Sequence, residues 1–139
     1  MSNENGTTSI ERMAKAAGPA TQADKVKIPL AKGRMALMAY DLAEDGTAKF
    51  RKTLVDYAPY DGPDGLICDK HGNLIVAVRA ENRPGIYIYN PEGKEIDYIE
   101  TEVPTNVGFG RGADRNLLYI TAGKSLYRIR LNTEGYELP

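Results

Sequence analysis

Histidine and cysteine are nearly missing from these 139 residues, with one of each, His71 and Cys68. A single cysteine excludes an intramolecular disulfide framework and fits a reducing compartment. Between Ile67 and Asp69 it reads as a small core hydrophobe. A single histidine, in the turn Lys70-His71-Gly72, leaves no base for a Ser-His-Asp arrangement and reads as a solvated turn residue. Charge of one sign is lacking too: 18 basic and 19 acidic residues are interspersed, for a net charge of -1. That balance argues against nucleic acid or an anionic membrane as the main partner, since both need a basic excess. No apolar run reaches the length of a membrane-spanning helix. Met1-Ser2-Asn3-Glu4-Asn5 has neither the basic start nor the apolar centre of a signal peptide. The expectation is a soluble, cytoplasmic protein.

Short strands and turn residues are abundant. From Arg34 onward, β-favouring runs occur at 35–42, 48–55, 65–69, 73–79, 85–90, 95–101, 106–110, 116–121 and 125–131. Gly, Asn, Asp and Pro separate them, as in Glu44-Asp45-Gly46, His71-Gly72-Asn73 and Asn90-Pro91-Glu92-Gly93. This predicts nine strands with no helix among them. The turn Asp41–Gly46 recurs as Asn90–Gly93 and Asn132–Gly135, so its last glycines fall at 46, 93 and 135, steps of 47 and 42 residues. In a second register, Gly72-Asn73-Leu74-Ile75-Val76 maps onto Arg115-Asn116-Leu117-Leu118-Tyr119, 43 residues later. That period is the length of one four-stranded propeller blade; it would also suit a β-sandwich, though a sandwich has no reason to repeat its turns at this interval. Residues 35–55 then supply two outer strands, 64–101 a complete blade and 106–131 three inner strands.

Residues 1–33 form a separate N-terminal arm, with the partial propeller domain at 34–139. Met1–Thr8 is polar and expected to be disordered. Ser9–Ala17 suits two turns of helix stopped by Gly18-Pro19. Lys25–Leu30 alternates like a short strand, and Pro29 confines it to a sheet edge.

Pro63-Asp64-Gly65-Leu66 is the chemically most informative stretch. Asp64 stands at the mouth of a strand. At the start of a blade's inner strand a carboxylate faces the central channel, where a hard oxygen donor suits calcium or magnesium. The alternative is a turn Asp capping its own backbone amides between Gly62 and Gly65. Asn106, after Thr105, holds the corresponding place in the next blade. It either offers its carbonyl oxygen to the channel mouth or bonds to its own loop. Asp61 reads as an exposed turn residue. Gly108-Phe109-Gly110-Arg111-Gly112 precedes a strand and is rejected as a phosphate loop. Tyr87, Tyr89, Tyr98, Tyr119 and Tyr127 read as packing between blades.

The Pro63–Gly65 motif, with Gly85–Gly93, Pro104–Gly110 and Leu117–Thr121, resembles the gluconolactonase/regucalcin (senescence marker protein) family of six-bladed β-propellers over residues 36–138. The resemblance covers only the C-terminal part of such a ring, about two and a half to three blades. It implies an all-β partial propeller of antiparallel four-stranded sheets and a metal-dependent sugar-lactone hydrolase. It implies that Asp64 ligates a divalent cation, calcium first, with magnesium, manganese or zinc also compatible, and acts catalytically through it. Asn106 is the second candidate ligand. The family's other cation ligands, a Glu and an Asn from earlier blades, have no counterpart in this sequence, and neither do its lactone-positioning residues. One chain is therefore expected to carry an incomplete active site for a lactone or sugar-acid ligand, the alternative being a non-catalytic binding or assembly module. A partial propeller leaves blade faces without neighbours. A homodimer is expected, with Leu37, Ile67, Val76, Phe109 and Ile120 on the open faces.

Overall fold

Nine antiparallel strands among the described residues form three sheets of two, four and three strands. The computed structural model describes residues 33–137. The helix expected at 9–17 and the strand expected at 25–30 lie outside them. The strands are β1 (Ala36–Leu42), β2 (Ala48–Asp56), β3 (Pro63–Cys68), β4 (Leu74–Val78), β5 (Gly85–Tyr89), β6 (Glu95–Glu100), β7 (Pro104–Phe109), β8 (Leu117–Ala122) and β9 (Ser125–Arg130). Each sheet is a meander, β1-β2, β3-β4-β5-β6 and β7-β8-β9, as expected for a partial propeller. Among the described residues a three-residue 3-10 turn, Gly112–Asp114, interrupts the strands between β7 and β8.

The four-stranded sheet lies between the other two, which explains its sequence. On one face Ile75, Ala77, Ile86 and Ile88 meet Val107, Leu118, Ile120 and Ala122 of the three-stranded sheet. On the other, Val76, Val78, Tyr87 and Tyr89 meet Leu37 and Tyr57. Both faces of β4 and β5 are buried, so their sequences run apolar without polar alternation. Each fully buried Ile or Val contributes roughly 1.5–3 kcal/mol.

Leu37, Val76 and Ile120 were expected on open faces, but all three are buried between sheets, and Ile67 and Phe109 pack against the same core. The exposed apolar side chains include others: Met38, Tyr40, Leu42 and Phe50 on β1 and β2, and Leu126, Tyr127 and Ile129 on β9.

The repeated turn has one hydrogen-bond pattern at three places. Gly46, Gly72 and Gly93 each adopt a positive φ and donate an amide to Ala43, Asp69 and Asn90, three residues earlier. Gly135 does not complete such a hairpin. It forms a bridge with Asp69, and the preceding Glu134 accepts the amide of Lys70. The C-terminal segment therefore runs back onto the β3–β4 turn. Among the described residues, no helix is long and apolar enough to cross a membrane.

Candidate functional site

The inner strands β3 and β7 of adjacent sheets touch, and each begins with a proline followed by a bulge. Proline suits the first strand position, where its missing amide hydrogen costs no ladder bond. In β3 the register shifts between Pro63↔Val78 and Leu66↔Val76, so Asp64 and Gly65 lie in the irregularity. In β7 it shifts between Pro104↔Ala122 and Asn106↔Thr121, at Thr105. Bulges re-aim side chains away from the pleat. Here they put Asp64, Thr105 and Asn106 at the same end of the two inner strands, all three exposed.

Gly65 makes this meeting tight. A Cβ at that position would come within 2.7 Å of Asn106 Cγ and 2.9 Å of its Cα, so the space belongs to Asn106. The two candidate ligands thus come from adjacent strands held in direct contact.

Each is already engaged. Asp64 Oδ2 lies 3.4 Å from Arg79 Nη1, and Asp61 Oδ2 lies 3.7 Å from Arg79 Nε. Asp61 is therefore half-buried beside the site and paired, where the sequence suggested an exposed turn residue. Arg79 follows β4 immediately, and sequence reasoning passed over it. Asn106 Oδ1 accepts the amide of Val107 at 2.9 Å, the local bonding that stood as the alternative to a channel role. Beside it Thr105 and Thr121 place their hydroxyl oxygens 2.8 Å apart.

Asp64 and Asn106 fit part of a divalent-cation site. Both offer hard oxygens, though the space beside Gly65 is filled by the Asn106 side chain itself. Calcium takes about six to eight oxygens, and two side chains do not supply them. No group of three His, Cys, Asp or Glu side chains suited to a metal occurs among the described residues.

At the other end of β3 and β7 lies a cavity of about 590 Å³, lined by Ile67, Phe109, Arg111, Gly135 and Tyr136. The glycine-rich run 108–112 borders it and leads into only the three-residue 3-10 turn, so the rejection of a phosphate loop stands. His71 is exposed in its turn. Cys68 is partly buried, and burial pushes its thiol up. Tyr87 and Tyr89 are buried in the inter-sheet core and Tyr98 packs against it, whereas Tyr127 is exposed.

Sheets of this form, stacked face to face with inner strands in contact, are the blades of a partial β-propeller. The chain belongs to the family described as the SMP-30/Gluconolactonase/LRE-like region, whose pattern matches residues 32–124. It is 33% identical over 89 residues to a gluconolactonase of Zymomonas mobilis subsp. mobilis (strain ATCC 31821 / ZM4 / CP4), covering 62% of this chain and 23% of that protein. A solved structural-genomics target assigned as a gluconolactonase superposes with a TM-score of 0.65 at 25% identity, over 75% of this chain and 34% of the other. A solved luciferin-regenerating enzyme has the same fold, with a TM-score of 0.62 at 22% identity, over 77% of this chain and 42% of the other. The chain therefore spans less than half the length of each of these relatives.

Proposed function

We propose that this chain carries one part of the cation-binding end of a sugar-lactone hydrolase, with Asp64 as the principal ligand and Asn106 as the second. The observation that supports this reading is the close approach of Gly65 to Asn106, which sets the strand starts bearing Asp64 and Asn106 side by side. A bound divalent cation, calcium in the first instance, would polarise the ester carbonyl of the lactone. Asp64 would hold the cation's charge, and Asn106 would add its amide oxygen, which now accepts the Val107 amide. The Thr105 and Thr121 hydroxyls, on the same rim, suit hydrogen bonds to sugar hydroxyls. The remaining ligands come from outside this pair, from a second subunit or further blades.

The test is hydrolysis of gluconolactone with calcium, magnesium, manganese or zinc. Turnover by the assembled protein should vanish with a chelator and in Asp64→Ala, while the isolated monomer should turn over little. Activity indifferent to both treatments would sink the proposal. Robust turnover by a demonstrated monomer would show that the ligands in one chain suffice.

The ion pair between Asp64 and Arg79 favours a second reading, a non-catalytic binding or assembly module in which Asp64 serves the fold. Under it, Asp64→Asn lowers stability and no cation changes the melting temperature.

A further inference from the structure

Arg79 stands where a cation at Asp64 would have to act. Its amide donates to Gly62 O at 3.2 Å, which holds residue 79 beside the bulge containing Asp64. Its guanidinium reaches Asp64 through Nη1 and Asp61 through Nε, and the Asp61 amide in turn donates to Glu81 Oε2 at 3.4 Å. Two carboxylates, Asp61 and Asp64, therefore share a single guanidinium, and Glu81 accepts the Asp61 amide. An arginine stays charged at any pH a protein tolerates, so this positive charge is removed from Asp64 only by moving the side chain.

We propose that Arg79 is the built-in counter-ion of Asp64 and competes with a divalent cation for the same carboxylate oxygen. The inference rests on the reading of Asp64 as a ligand and goes further, because it makes Arg79 the residue that sets cation affinity. Binding requires the guanidinium to swing off Asp64. Its Nε already faces Asp61, which gives it a second carboxylate to move to. Both partners in the pair are about half exposed, with side-chain exposures of 44% and 45%, so water screens the competition. The effect is an affinity change on the order of tenfold.

The experiment follows amide resonances of the full chain by NMR during a manganese(II) titration. The paramagnetic ion broadens amides near its site even when it binds weakly. In the wild type, the Gly65, Asn106 and Val107 amides should broaden first. Arg79→Gln should reach half-broadening at about one-tenth of the wild-type concentration. Arg79→Lys, which keeps a positive charge, should stay near wild type and also control for folding. Raising the salt from about 0.02 to 0.2 M should narrow the gap between Arg79→Gln and wild type. Asp64→Asn should abolish the local broadening.

Equal midpoints for Arg79→Gln and wild type overturn the competition while leaving Asp64 a ligand. Broadening that persists in Asp64→Asn, or that never appears near Gly65, overturns both. The titration reads binding and the lactone assay reads turnover, so the two proposals fail separately.

Discussion

Gly65 and Asn106, 41 positions apart, occupy one another's space: the amide side chain lies where the glycine has no Cβ. The glycine of the Pro-Asp-Gly motif thus serves the contact between two inner strands, and its bare Cα lets the neighbouring strand close on Asp64. Gly65→Ala should lower stability by about 1–3 kcal/mol through overpacking. Asn106→Gly in that background should restore only part of the loss, because Asn106 Cα also lies within 2.9 Å of the added carbon. Thermal melts of the two variants check this. A Gly65→Ala melt equal to wild type would count against the contact.

Asp69 is 1% exposed and pins the C-terminal segment. Its carboxylate accepts from the His71 and Asn73 amides, the Asn73 side chain and the Thr133 hydroxyl, each at 2.9 Å. Burial pushes its pKa up, but the hydrogen bonds from Asn73, Thr133 and His71 outweigh it and hold the group below the ordinary Asp value. A lowered folded pKa means the stabilisation is present above the unfolded pKa, about 4, and is lost as the pH falls through the folded value. Stability should therefore drop below about pH 4, with faster hydrogen exchange at Lys70, Gly135 and Tyr136. Asp69→Asn should cost about 1–3 kcal/mol near neutrality and remove this group's share of the acid slope. An unchanged slope would show that other carboxylates carry it.

Tyr57 and Tyr89 meet hydroxyl to hydroxyl at 3.1 Å in the core between the first two sheets. Burial raises both phenols above their ordinary value, Tyr89 the further, and the hydrogen bond the two share adds to the rise at Tyr89. A raised folded pKa gives stability that is complete below the unfolded value, about 10, and is lost as the pH rises past it. Ultraviolet titration should show these two phenols ionising only as the protein unfolds. Tyr89→Phe should cost about 1–3 kcal/mol by stranding the Tyr57 hydroxyl. The double Phe variant should be more stable than Tyr89→Phe alone, and a less stable double variant would refute this account.

We propose that the exposed apolar side chains drive self-association in solution. Tyr40 and Phe50 meet edge to face at 5.7 Å on exposed β1 and β2, with Leu42 75% exposed nearby, and Leu126 on β9 is 68% exposed. Several such residues together exceed what soluble monomers usually leave open. Light scattering at micromolar concentration should give a dimer, and Tyr40→Ser with Phe50→Ser should shift it to monomer. A monodisperse wild-type mass near 15.3 kDa would rule the dimer out.

Local chemistry made much of this fold legible in advance. All nine strands and most turns followed from apolar runs broken by Gly, Asn and Asp, because hairpin bonds lie within a few residues of their turn. The apolar runs of β4 and β5 marked them as strands, but that both of their faces are buried came only from the stacking of the sheets. The motif around Asp64 located the candidate site as well, since Pro63 and Gly65 each have a backbone reason to be where they are.

Contacts between distant residues were not legible. Burial of Leu37, Val76 and Ile120 depends on which sheet stacks against which, and the strand pattern is the same whichever neighbour covers a face. Thr133 completes the shell around Asp69 from 64 residues away, so nothing in the local turn marks that carboxylate as buried. Arg79 reads as an ordinary residue after a strand until the β3 bulge turns Asp64 toward it across 15 positions. Side-chain type and spacing record what the backbone needs nearby. The partner of a charge is chosen by packing, and packing joins residues that the sequence keeps apart.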